Sequence, residues 1–395
     1  MPSSPTLAAC LMVRNEADHL RRCLASVAGA VDAIYVTYTG STDDSAAVAR
    51  SFGATVREFP WGDDFAAARN ASLAGVAEDW ILTLDADDAF PVGEAVRLRG
   101  LLAPDACAAT VRYVVGPTHT PLRTVKLLRN GLGARYEGLI HESLRTWLAA
   151  QLAEGWRRQD LPVTLVHWGY TPEARPGKLA RNLPLLRREW ARLSSRRGEA
   201  AGASGHDRIR LLTSAATQRN AARYHIGAEL GLALAHAGQS AEGGELLGQL
   251  LTEVTAAAPV PGAAALKILA SLLWVLGEAG QAEAALTAVR RVEAPLAEVP
   301  AYQLHRGLTE LAAENHAVAC AWLERFRTAW TADELDVPVP TGYPGARLWD
   351  ALAHCHLGQR DYAAAAVCHQ RGIELNPADR ELPLRLLVAQ RLMSL

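Results

Sequence analysis

Three short polar segments in the N-terminal part of the chain carry side chains that suit chemistry on phosphates. Asp85-Ala86-Asp87-Asp88 places carboxylates two residues apart on an extended turn. Two such carboxylates can ligand one hard divalent cation, and Mg²⁺ or Mn²⁺ in such sites commonly also takes phosphate oxygens of a substrate. The other two segments are Met12-Val13-Arg14-Asn15-Glu16 and Thr39-Gly40-Ser41-Thr42-Asp43. Together the three segments indicate a site for a nucleoside diphosphate.

The elements around these segments must position them. In this part of the chain, short apolar or β-branched runs alternate with amphipathic stretches. This alternation is typical of βαβ units and a largely parallel sheet. The predicted strands are Thr6 to Val13, Ala33 to Thr37, Thr55 to Phe59, Trp80 to Leu84, Ala109 to Val115 and Leu161 to His167. The predicted helices are Glu16 to Val27, Asp43 to Phe52, Asp64 to Ala77 and Glu173 to about Leu193. Because ligands of open α/β sheets bind outside the carboxyl ends of strands, we expect the three segments to face one cleft.

The second half of the chain has a different pattern. Residues 194–205 are rich in Ser, Gly, Ala and Arg and mark a domain boundary. Beyond them the chain is rich in alanine and leucine, and Trp349, Leu352, Tyr362, Ala365 and Pro377 match the tetratricopeptide pattern. We therefore predict an α/β domain over residues 1–195, a linker or insertion over 196–222, and helical hairpins in a solenoid over 223–395. A helix from Leu382 onward is expected to cap the stack.

Four longer motifs extend the N-terminal pattern. They read Trp61-x-Asp63-Asp64-Phe65-x-x-x-Arg69-Asn70, Trp80-Ile81-Leu82-x-Leu84-Asp85-Ala86-Asp87, Tyr136-Glu137-Gly138-x-Ile140-His141-Glu142 and His167-x-Gly169-Tyr170. In their order and spacing the chain resembles the family 2 glycosyltransferases of the GT-A fold. The resemblance is closer to the subgroup with a C-terminal tetratricopeptide-like domain, which includes the sublancin-type peptide S-glycosyltransferases. It implies an α/β GT-A catalytic domain, Rossmann-like with a mostly parallel sheet, followed by an all-α helical repeat domain.

The resemblance also implies roles for individual residues. Asp85 and Asp87 would hold Mn²⁺ or Mg²⁺ on the donor diphosphate, with His167 as the third protein ligand. Arg69 would add positive charge at the phosphates. Glu142 is the candidate general base of an inverting displacement, with His141 orienting it or donating to phosphate. The predicted donor-binding residues are Val13, Asn15, Glu16, Tyr38, Thr39, Arg69, Asp85 and Ala86.

Each of these residues also has a simpler structural interpretation. A lone Asp-x-Asp at a strand end is more often a solvated turn, and Thr39 to Asp43 suit a plain helix N-cap. His167 alone would be a hydrogen-bonded histidine at a strand end, and Glu142 can instead hold Arg145 or a loop amide. Tyr38 stands where the family carries an aspartate that contacts the nucleoside, which weakens the preference for UDP-sugars that the resemblance implies.

Composition narrows the functional class. The 395 residues include 40 Lys and Arg against 42 Asp and Glu, a formal charge of −2, so we expect no nucleic-acid or anionic-lipid partner. No apolar run approaches the roughly 20 residues of a membrane span, and the N-terminus lacks a secretory signal, which predicts a cytoplasmic protein. Six scattered cysteines without a CxxC pair fit neither a disulfide framework nor a zinc site, and we interpret them as small buried hydrophobes.

The resemblance implies a metal-dependent, inverting glycosyltransferase with a nucleotide-sugar donor, a UDP-sugar being favoured. The concave face of a solenoid suits an extended ligand, which favours a peptide or protein side chain (Cys, Ser or Thr) as the acceptor. One alternative is a small-molecule or natural-product acceptor, with the repeats serving only for homodimerisation. Another is a non-catalytic repeat scaffold with a degenerate nucleotide-sugar domain. The joint presence of two metal ligands and a base speaks against the scaffold.

Overall fold

The structure is a computed structural model that divides into two compact units. It describes residues 4–115, 121–169, 175–195, 215–257, 262–330 and 345–394. The first unit ends at Ile226 and the second begins at Gly227. Of the linker predicted over residues 196–222, residues 215–222 are helical, and the rest lies outside the described ranges. Within those ranges, no helix combines the length and the apolar character that crossing a membrane requires.

One eight-stranded mixed sheet organises the first unit. Its strands are β1 (Leu7–Val13), β2 (Ala33–Tyr38), β3 (Thr55–Glu58), β4 (Trp80–Asp85), β5 (Asp88–Ala89), β6 (Ala106–Val115), β7 (Leu122–Arg129) and β8 (Arg157–His167). Across the sheet they follow the order β3-β2-β1-β4-β7-β6-β8-β5. β1 to β4 pair in parallel, as do β6 and β8, whereas β7 runs antiparallel to β4 and β6, and β5 to β8. The predicted fold class, an α/β GT-A domain with a mostly parallel sheet, is confirmed.

The sequence of β1 explains why this strand lies in the middle of the sheet. It reads Leu-Ala-Ala-Cys-Leu-Met-Val, a continuous apolar run that suits a strand covered on both faces. Successive side chains of a strand point to opposite faces. Leu7, Ala9 and Leu11 accordingly pack into one hydrophobic core, and Ala8 and Cys10 pack into a second. The sheet is therefore sandwiched between two layers, and its functional groups must lie at its ends.

Helices and turns connect the strands of the first unit. They are α1 (Ala17–Val27), α2 (Ser45–Ser51), α3 (Phe65–Leu73), α4 (Leu98–Leu101), α5 (Arg145–Ala153) and α6 (Arg175–Ser195), followed by α7 (Ala215–His236), which continues into the second unit. α3 ends earlier than the predicted Ala77, because Ala74 is extended and Gly75 has a φ of +64°. The predicted N-cap of α2 moves by one residue to Asp44. α1 and α6 lie within about two residues of their predicted bounds.

The second unit is helical throughout its described ranges. After α7 come α8 (Ser240–Thr255), α9 (Gly262–Glu278), α10 (Ala282–Arg291), α11 (Glu293–Leu296), α12 (Pro300–Ala312), α13 (His316–Ala329), α14 (Ala346–Gly358), α15 (Tyr362–Leu375) and α16 (Leu382–Met393). Gly238 turns the chain between α7 and α8 with a φ of +82°. Gly358 has a different reason to be glycine, because a Cβ atom there would lie 2.1 Å from the His316 ring. The last of these helices begins at Leu382, the residue from which a capping helix was predicted.

Several elements of the first unit escaped prediction, among them the four-residue α4. β7 reads Leu-Arg-Thr-Val-Lys-Leu-Leu-Arg, in which charged residues interrupt the apolar pattern, and its partner β4 lies far away in sequence. β5 has two residues, and α5 was hidden in a segment of mixed pattern. The six cysteines are free, and all except the half-buried Cys320 are buried.

Candidate active site

The register of the parallel strands brings the three polar segments to one edge of the sheet. Val13 of β1 pairs with Tyr38 of β2, and Met12 of β1 pairs with Asp85 of β4. Tyr38 in turn pairs with Glu58 of β3. The carboxyl ends of the four strands are therefore level, and the segments that follow β1, β2 and β4 are neighbours, as predicted.

Hydrogen bonds between backbone and side chains join the segments that follow β1 and β2. The Asn15 N–H donates to Ser41 Oγ at 2.9 Å, and the Thr42 N–H donates to Asn15 Oδ1 at 2.7 Å. The Glu16 N–H donates to Ser45 Oγ at 3.0 Å. Asn15 has a φ of +54°, a left-handed conformation that asparagine tolerates better than most residues. The polar residues of both segments thus fix the shape of this edge, and Asn15 and Glu16 lie where they were predicted.

Tyr38 closes the turn that follows β2. Its hydroxyl donates to the Ser41 carbonyl oxygen. Next to it, Thr39 donates its N–H to the Val13 carbonyl at 3.0 Å and its hydroxyl to the same oxygen at 3.1 Å. Val13 and Thr39 are buried, so they contribute to the edge through the course of the main chain. This hydrogen bond fixes the Tyr38 side chain at the carboxyl end of β2.

Residues Asp85 to Asp88 form an acidic turn after β4, in which the first residue is hydrogen-bonded to the side chain of the last. The Asp85 N–H donates to Asp88 Oδ2 at 3.0 Å, and Asp88 Oδ1 accepts a hydrogen bond of 2.7 Å from the Tyr113 hydroxyl. The Asp88 side chain is fully buried, and Ala86 is buried beside it. Asp88 was not among the predicted metal ligands. The available signal was a third acidic residue in the Asp-Ala-Asp-Asp run, since the Asp-x-Asp pattern uses only two.

His167 lies opposite this turn, at the end of β8. It pairs with Asp88 across the sheet, and its Nδ1 lies 3.0 Å from Asp88 Oδ1 and 3.3 Å from Asp87 Oδ1. Burial opposes protonation of this ring, but the hydrogen bond to Asp88 and the charges of Asp87 and Asp85 raise the pKa of His167. The structure therefore brings the predicted His167 into contact with the acidic turn.

Gly169 makes room for Asp87. A Cβ atom on Gly169 would lie 1.7 Å from Asp87 Oδ2, so any other residue would force the carboxylate to move. Lys178 donates to the Gly169 carbonyl at 2.9 Å, and its Nζ lies 3.6 Å from Asp87 Oδ2. The glycine of the His-x-Gly-Tyr motif thus has a steric reason, whereas Tyr170 lies outside the described residues.

The acidic turn and His167 fit a divalent cation. Asp85, Asp88 and His167 each offer one ligand atom, and these atoms all lie within 4.8 Å of one another. Asp87, one of the predicted ligands, borders this set through its contact with His167. Carboxylate oxygens with one imidazole nitrogen suit Mn²⁺, and the oxygens also suit Mg²⁺. The described residues can therefore hold the predicted metal, with Asp88 added to the predicted ligands.

A buried lysine of β7, Lys126, contacts the acidic turn. It was not predicted from the sequence. Lys126 Nζ is 2.7 Å from Asp88 Oδ2, 3.2 Å from Asp85 Oδ2 and 4.6 Å from the centre of the Tyr113 ring. Burial alone would raise the pKa of Asp85, but Lys126 and Arg69 hold it well below its usual range. The charges of Asp85 and Asp88 outweigh the effect of burial and raise the pKa of Lys126. A single lysine among the apolar residues of β7 was the signal available in the sequence.

Arg69 connects the acidic turn to the predicted base. Its Nη2 lies 2.5 Å from Asp85 Oδ1 and 3.2 Å from Glu142 Oε1, and its Nη1 donates to the Leu84 carbonyl at 3.0 Å. The side chain is buried, and the nearby charges of Asp85 and Glu142 outweigh burial and raise its pKa. Arg69 thus positions two carboxylates, whereas the resemblance implied a contact with phosphate. The described contact of Glu142 is with Arg69, and Arg145, its suggested structural partner, is exposed.

A short closed loop presents His141 and Glu142. Glu137 and Ser143 exchange two backbone hydrogen bonds of 2.9 and 3.0 Å at its base. The Asn70 amide pairs with the backbone N–H and carbonyl of Tyr136, which explains the Arg-Asn pair on α3. The loop is therefore fixed to the same helix that carries Arg69.

His141 lies beside Glu142 at the tip of this loop. It is exposed and has a φ of +53°. Its ring centre is 5.4 Å from that of His225, in an edge-on arrangement. His141 is thus accessible next to Glu142, as a residue that orients an acceptor or a phosphate must be.

The Trp61 motif has a structural role. Asp64 accepts a hydrogen bond of 2.8 Å from the Ala67 N–H and so caps α3. Trp61 donates to Asp63 Oδ1 at 2.8 Å, and its ring contacts Phe65 at 4.8 Å between centres. These contacts fix the start of the helix whose next turn carries Arg69.

Comparisons with known proteins agree with this geometry. Residues 9–143 match the family described as glycosyl transferase family 2. A TPR repeat-containing protein of Synechococcus elongatus is 40% identical over 167 residues, which is 41% of each chain. The SPbeta prophage-derived glycosyltransferase SunS of Bacillus subtilis is 24% identical over 147 residues, which is 35% of each chain. The matched regions therefore span about two fifths or less of these curated relatives.

The solved structures that match the chain include the mannosyltransferase PcManGT from Pyrobaculum calidifontis, in complex with GDP-Man and Mn²⁺. It is 14% identical, with a TM-score of 0.41 over 81% of this chain and 87% of its own. The family match covers the acidic turn, Arg69 and the His141-Glu142 loop. Residues 9–143 of this chain thus match the family described as glycosyl transferase family 2, and the same chain continues into helical hairpins.

Proposed function

We propose that this chain is a metal-dependent, inverting glycosyltransferase that uses a nucleotide-sugar donor. The observation that carries the proposal is the link through Arg69, which holds Asp85 at 2.5 Å and Glu142 at 3.2 Å with one nitrogen. Asp85 belongs to a turn that fits a divalent cation, and Glu142 lies on a loop with the accessible His141. One guanidinium therefore places a diphosphate-binding turn and a proton acceptor side by side.

Residues at the carboxyl edge of the sheet would bind the donor. Asp85, Asp87, Asp88 and His167 would hold Mn²⁺ or Mg²⁺, which supplies positive charge to a departing nucleoside diphosphate. The segments that follow β1 and β2 would bind the nucleoside, with Asn15 and Glu16 at one side and Tyr38 at the other. We favour a UDP-sugar as the donor. Tyr38 provides a ring for stacking there and no carboxylate for hydrogen bonds to the ribose.

The acceptor half of the reaction belongs to Glu142. Direct displacement at the anomeric carbon requires that the acceptor lose its proton as the new bond forms. Arg69 Nη2 lies 3.2 Å from Glu142 Oε1 and keeps that carboxylate in place. The neighbouring His141 would orient the acceptor. A single displacement of this kind inverts the configuration of the sugar.

We propose a peptide or protein side chain, Cys, Ser or Thr, as the acceptor. The helical hairpins of the second unit support this choice, because stacked hairpins offer an extended surface for a chain. In this assignment residues 1–195 carry the donor chemistry and residues 223–395 bind the acceptor. A small-molecule acceptor, with the repeats used only for homodimerisation, is the competing assignment.

Release of nucleoside diphosphate from a set of nucleotide sugars tests the activity. The purified full-length chain is incubated with UDP- and GDP-sugars and Mn²⁺, with and without a mixture of Cys-, Ser- and Thr-containing peptides. We expect slow hydrolysis of one donor, accelerated by peptides that gain the mass of a sugar. Nucleotide binding without any turnover would favour the scaffold, and turnover that only small molecules accelerate would favour the competing acceptor.

A further inference from the structure

Basic and hydroxyl groups of the protein already contact the carboxylates of Asp85 and Asp88. Asp85 Oδ1 contacts Arg69 and Asp85 Oδ2 contacts Lys126, at 2.5 and 3.2 Å. Asp88 Oδ2 contacts Lys126 at 2.7 Å, and Asp88 Oδ1 contacts both the Tyr113 hydroxyl and His167 Nδ1. Each oxygen of these two aspartates therefore has a donor. A divalent cation that binds here must share those oxygens with two fixed positive charges.

Lys126 is held so that it cannot simply move aside. Its side chain is 8% exposed, and Tyr113 and the two aspartates contact its ammonium group. Asp88, its nearer partner, is fully buried and accepts the Asp85 N–H, so the pair is part of the turn itself. Repulsion between an ammonium group and a divalent cation a few ångströms away is strong where water is excluded. Lys126 must therefore weaken the binding of a metal ion that arrives alone.

We propose that Lys126 is a built-in counter-cation of the acidic turn, which keeps the affinity for a free divalent metal low. A nucleoside diphosphate brings negative charge that offsets the added cation, so metal and nucleotide raise each other's affinity by the same factor. The protein then takes up the metal together with the donor. This last step rests on the proposed function, whereas the effect on the metal alone does not.

Titration with Mn²⁺ in the absence of nucleotide tests the proposal. Free Mn²⁺ is measured by electron paramagnetic resonance with the full-length wild-type chain, Lys126→Met and Arg123→Met. The last variant is the matched control, since it removes one positive charge from an exposed position of the same strand. We expect Lys126→Met to bind Mn²⁺ about tenfold more tightly than the wild type, and Arg123→Met to bind it as the wild type does. UDP affinity, compared in Mn²⁺ and in EDTA, should show a smaller metal effect in Lys126→Met.

A folded Lys126→Met variant that binds Mn²⁺ no more tightly than the wild type overturns the proposal. If that variant does not fold, the wild-type chain carries the test, because a Kd for Mn²⁺ alone below about 10 μM contradicts a compensated turn. A role of Lys126 that was only structural would lower metal affinity on substitution and not raise it. Failure of the proposed function gives a separate result, in which UDP leaves Mn²⁺ binding unchanged while Lys126→Met still tightens it.

Discussion

Two clusters of buried ions, one in each unit, use charge differently. In the second unit, Glu310 is 1% exposed and contacts Arg306 at 2.8 Å, Arg290 at 3.4 Å and Asn315 at 2.6 Å. A single carboxylate there has three donors. In the first unit, three carboxylates contact two buried cations; they are Asp85, Asp88 and Glu142 with Lys126 and Arg69, and Asp87 borders them through His167 and Lys178. In the Glu310 cluster the donors outnumber the carboxylate, whereas in the first unit three carboxylates share two buried cations.

The excess of carboxylates is what distinguishes a binding site from a structural ion pair. A saturated pair such as Arg306 and Glu310 fixes the packing of helices, and removing one partner leaves a buried charge unpaired. Carboxylates that share buried cations still repel one another, so a further cation can be attracted to them.

Removing the metal or Asp87 should have the largest effect on activity. We expect EDTA to abolish donor turnover, and Asp87→Ala to remove the metal-dependent thermal stabilisation by UDP. Because the described contacts of Asp87 with Lys178 and His167 are long, 3.6 and 3.3 Å, its loss should change the melting temperature of the ligand-free protein little. Asp105→Ala, at an exposed aspartate paired with Arg157, is the matched control and should keep turnover. Full turnover in EDTA would contradict the metal assignment.

Glu142→Gln should reduce turnover by roughly 10² to 10⁴ while nucleotide affinity is kept. The amide is nearly the same size as the carboxylate, so the contact with Arg69 persists in weaker form. Glu137→Gln, in the same loop and exposed, should behave as the wild type. A thiol acceptor has an ordinary pKa of about 8.5 and ionises by itself as the pH rises. The defect should therefore shrink with rising pH for a cysteine acceptor and persist for a hydroxyl acceptor.

In the second unit, Glu310→Leu should lower the free energy of unfolding by about 3 to 5 kcal/mol, because it leaves Arg306 buried without its main partner. The double variant Arg306→Met/Glu310→Leu should recover much of that loss. Urea denaturation followed by circular dichroism measures both. Donor hydrolysis at low temperature should be unchanged in the double variant. A single variant as stable as the wild type would show that this cluster is not a structural ion pair.

Tyr38→Asp should have the smallest effect, a shift of several-fold in donor preference toward uridine nucleotides. A carboxylate at this position can accept hydrogen bonds from the nucleoside, and unpaired polar groups then penalise the wrong donor. Tyr38→Phe removes only the hydrogen bond to Ser41 and should leave selectivity unchanged. Competition between UDP- and GDP-sugars gives the ratio. Equal selectivity in wild type and Tyr38→Asp would place nucleoside recognition elsewhere.

Much of the fold and of the donor edge could be predicted from local sequence. Continuous apolar runs such as β1 identify buried strands, and polar segments at their ends must lie at one edge of a parallel sheet. The acidic turn was found by its residue types, and His167 was implied by the family resemblance. These features depend on neighbours within a few residues or on a general property of α/β sheets.

What escaped prediction depends on contacts between distant parts of the chain. Lys126 reaches the acidic turn because β7 pairs antiparallel with β4, a pairing that no local pattern announces. The contact of Arg69 with Glu142, which lies 73 residues later, was not predicted either. Asp88 was not predicted as a ligand because the Asp-x-Asp pattern uses only Asp85 and Asp87. In each case the sequence shows the residue type, but only the fold shows which residue it contacts.

The central claim is that Arg69 joins two carboxylates with different tasks, a donor site at Asp85 and a proton acceptor at Glu142. The most direct test is calorimetric measurement of UDP affinity in Mn²⁺ and in EDTA for Asp85→Asn and Glu142→Gln side by side, together with donor turnover. We predict that Asp85→Asn loses the metal-dependent affinity, whereas Glu142→Gln keeps it and loses only turnover. Equal loss of metal-dependent UDP affinity in both variants, or in neither, would contradict the account.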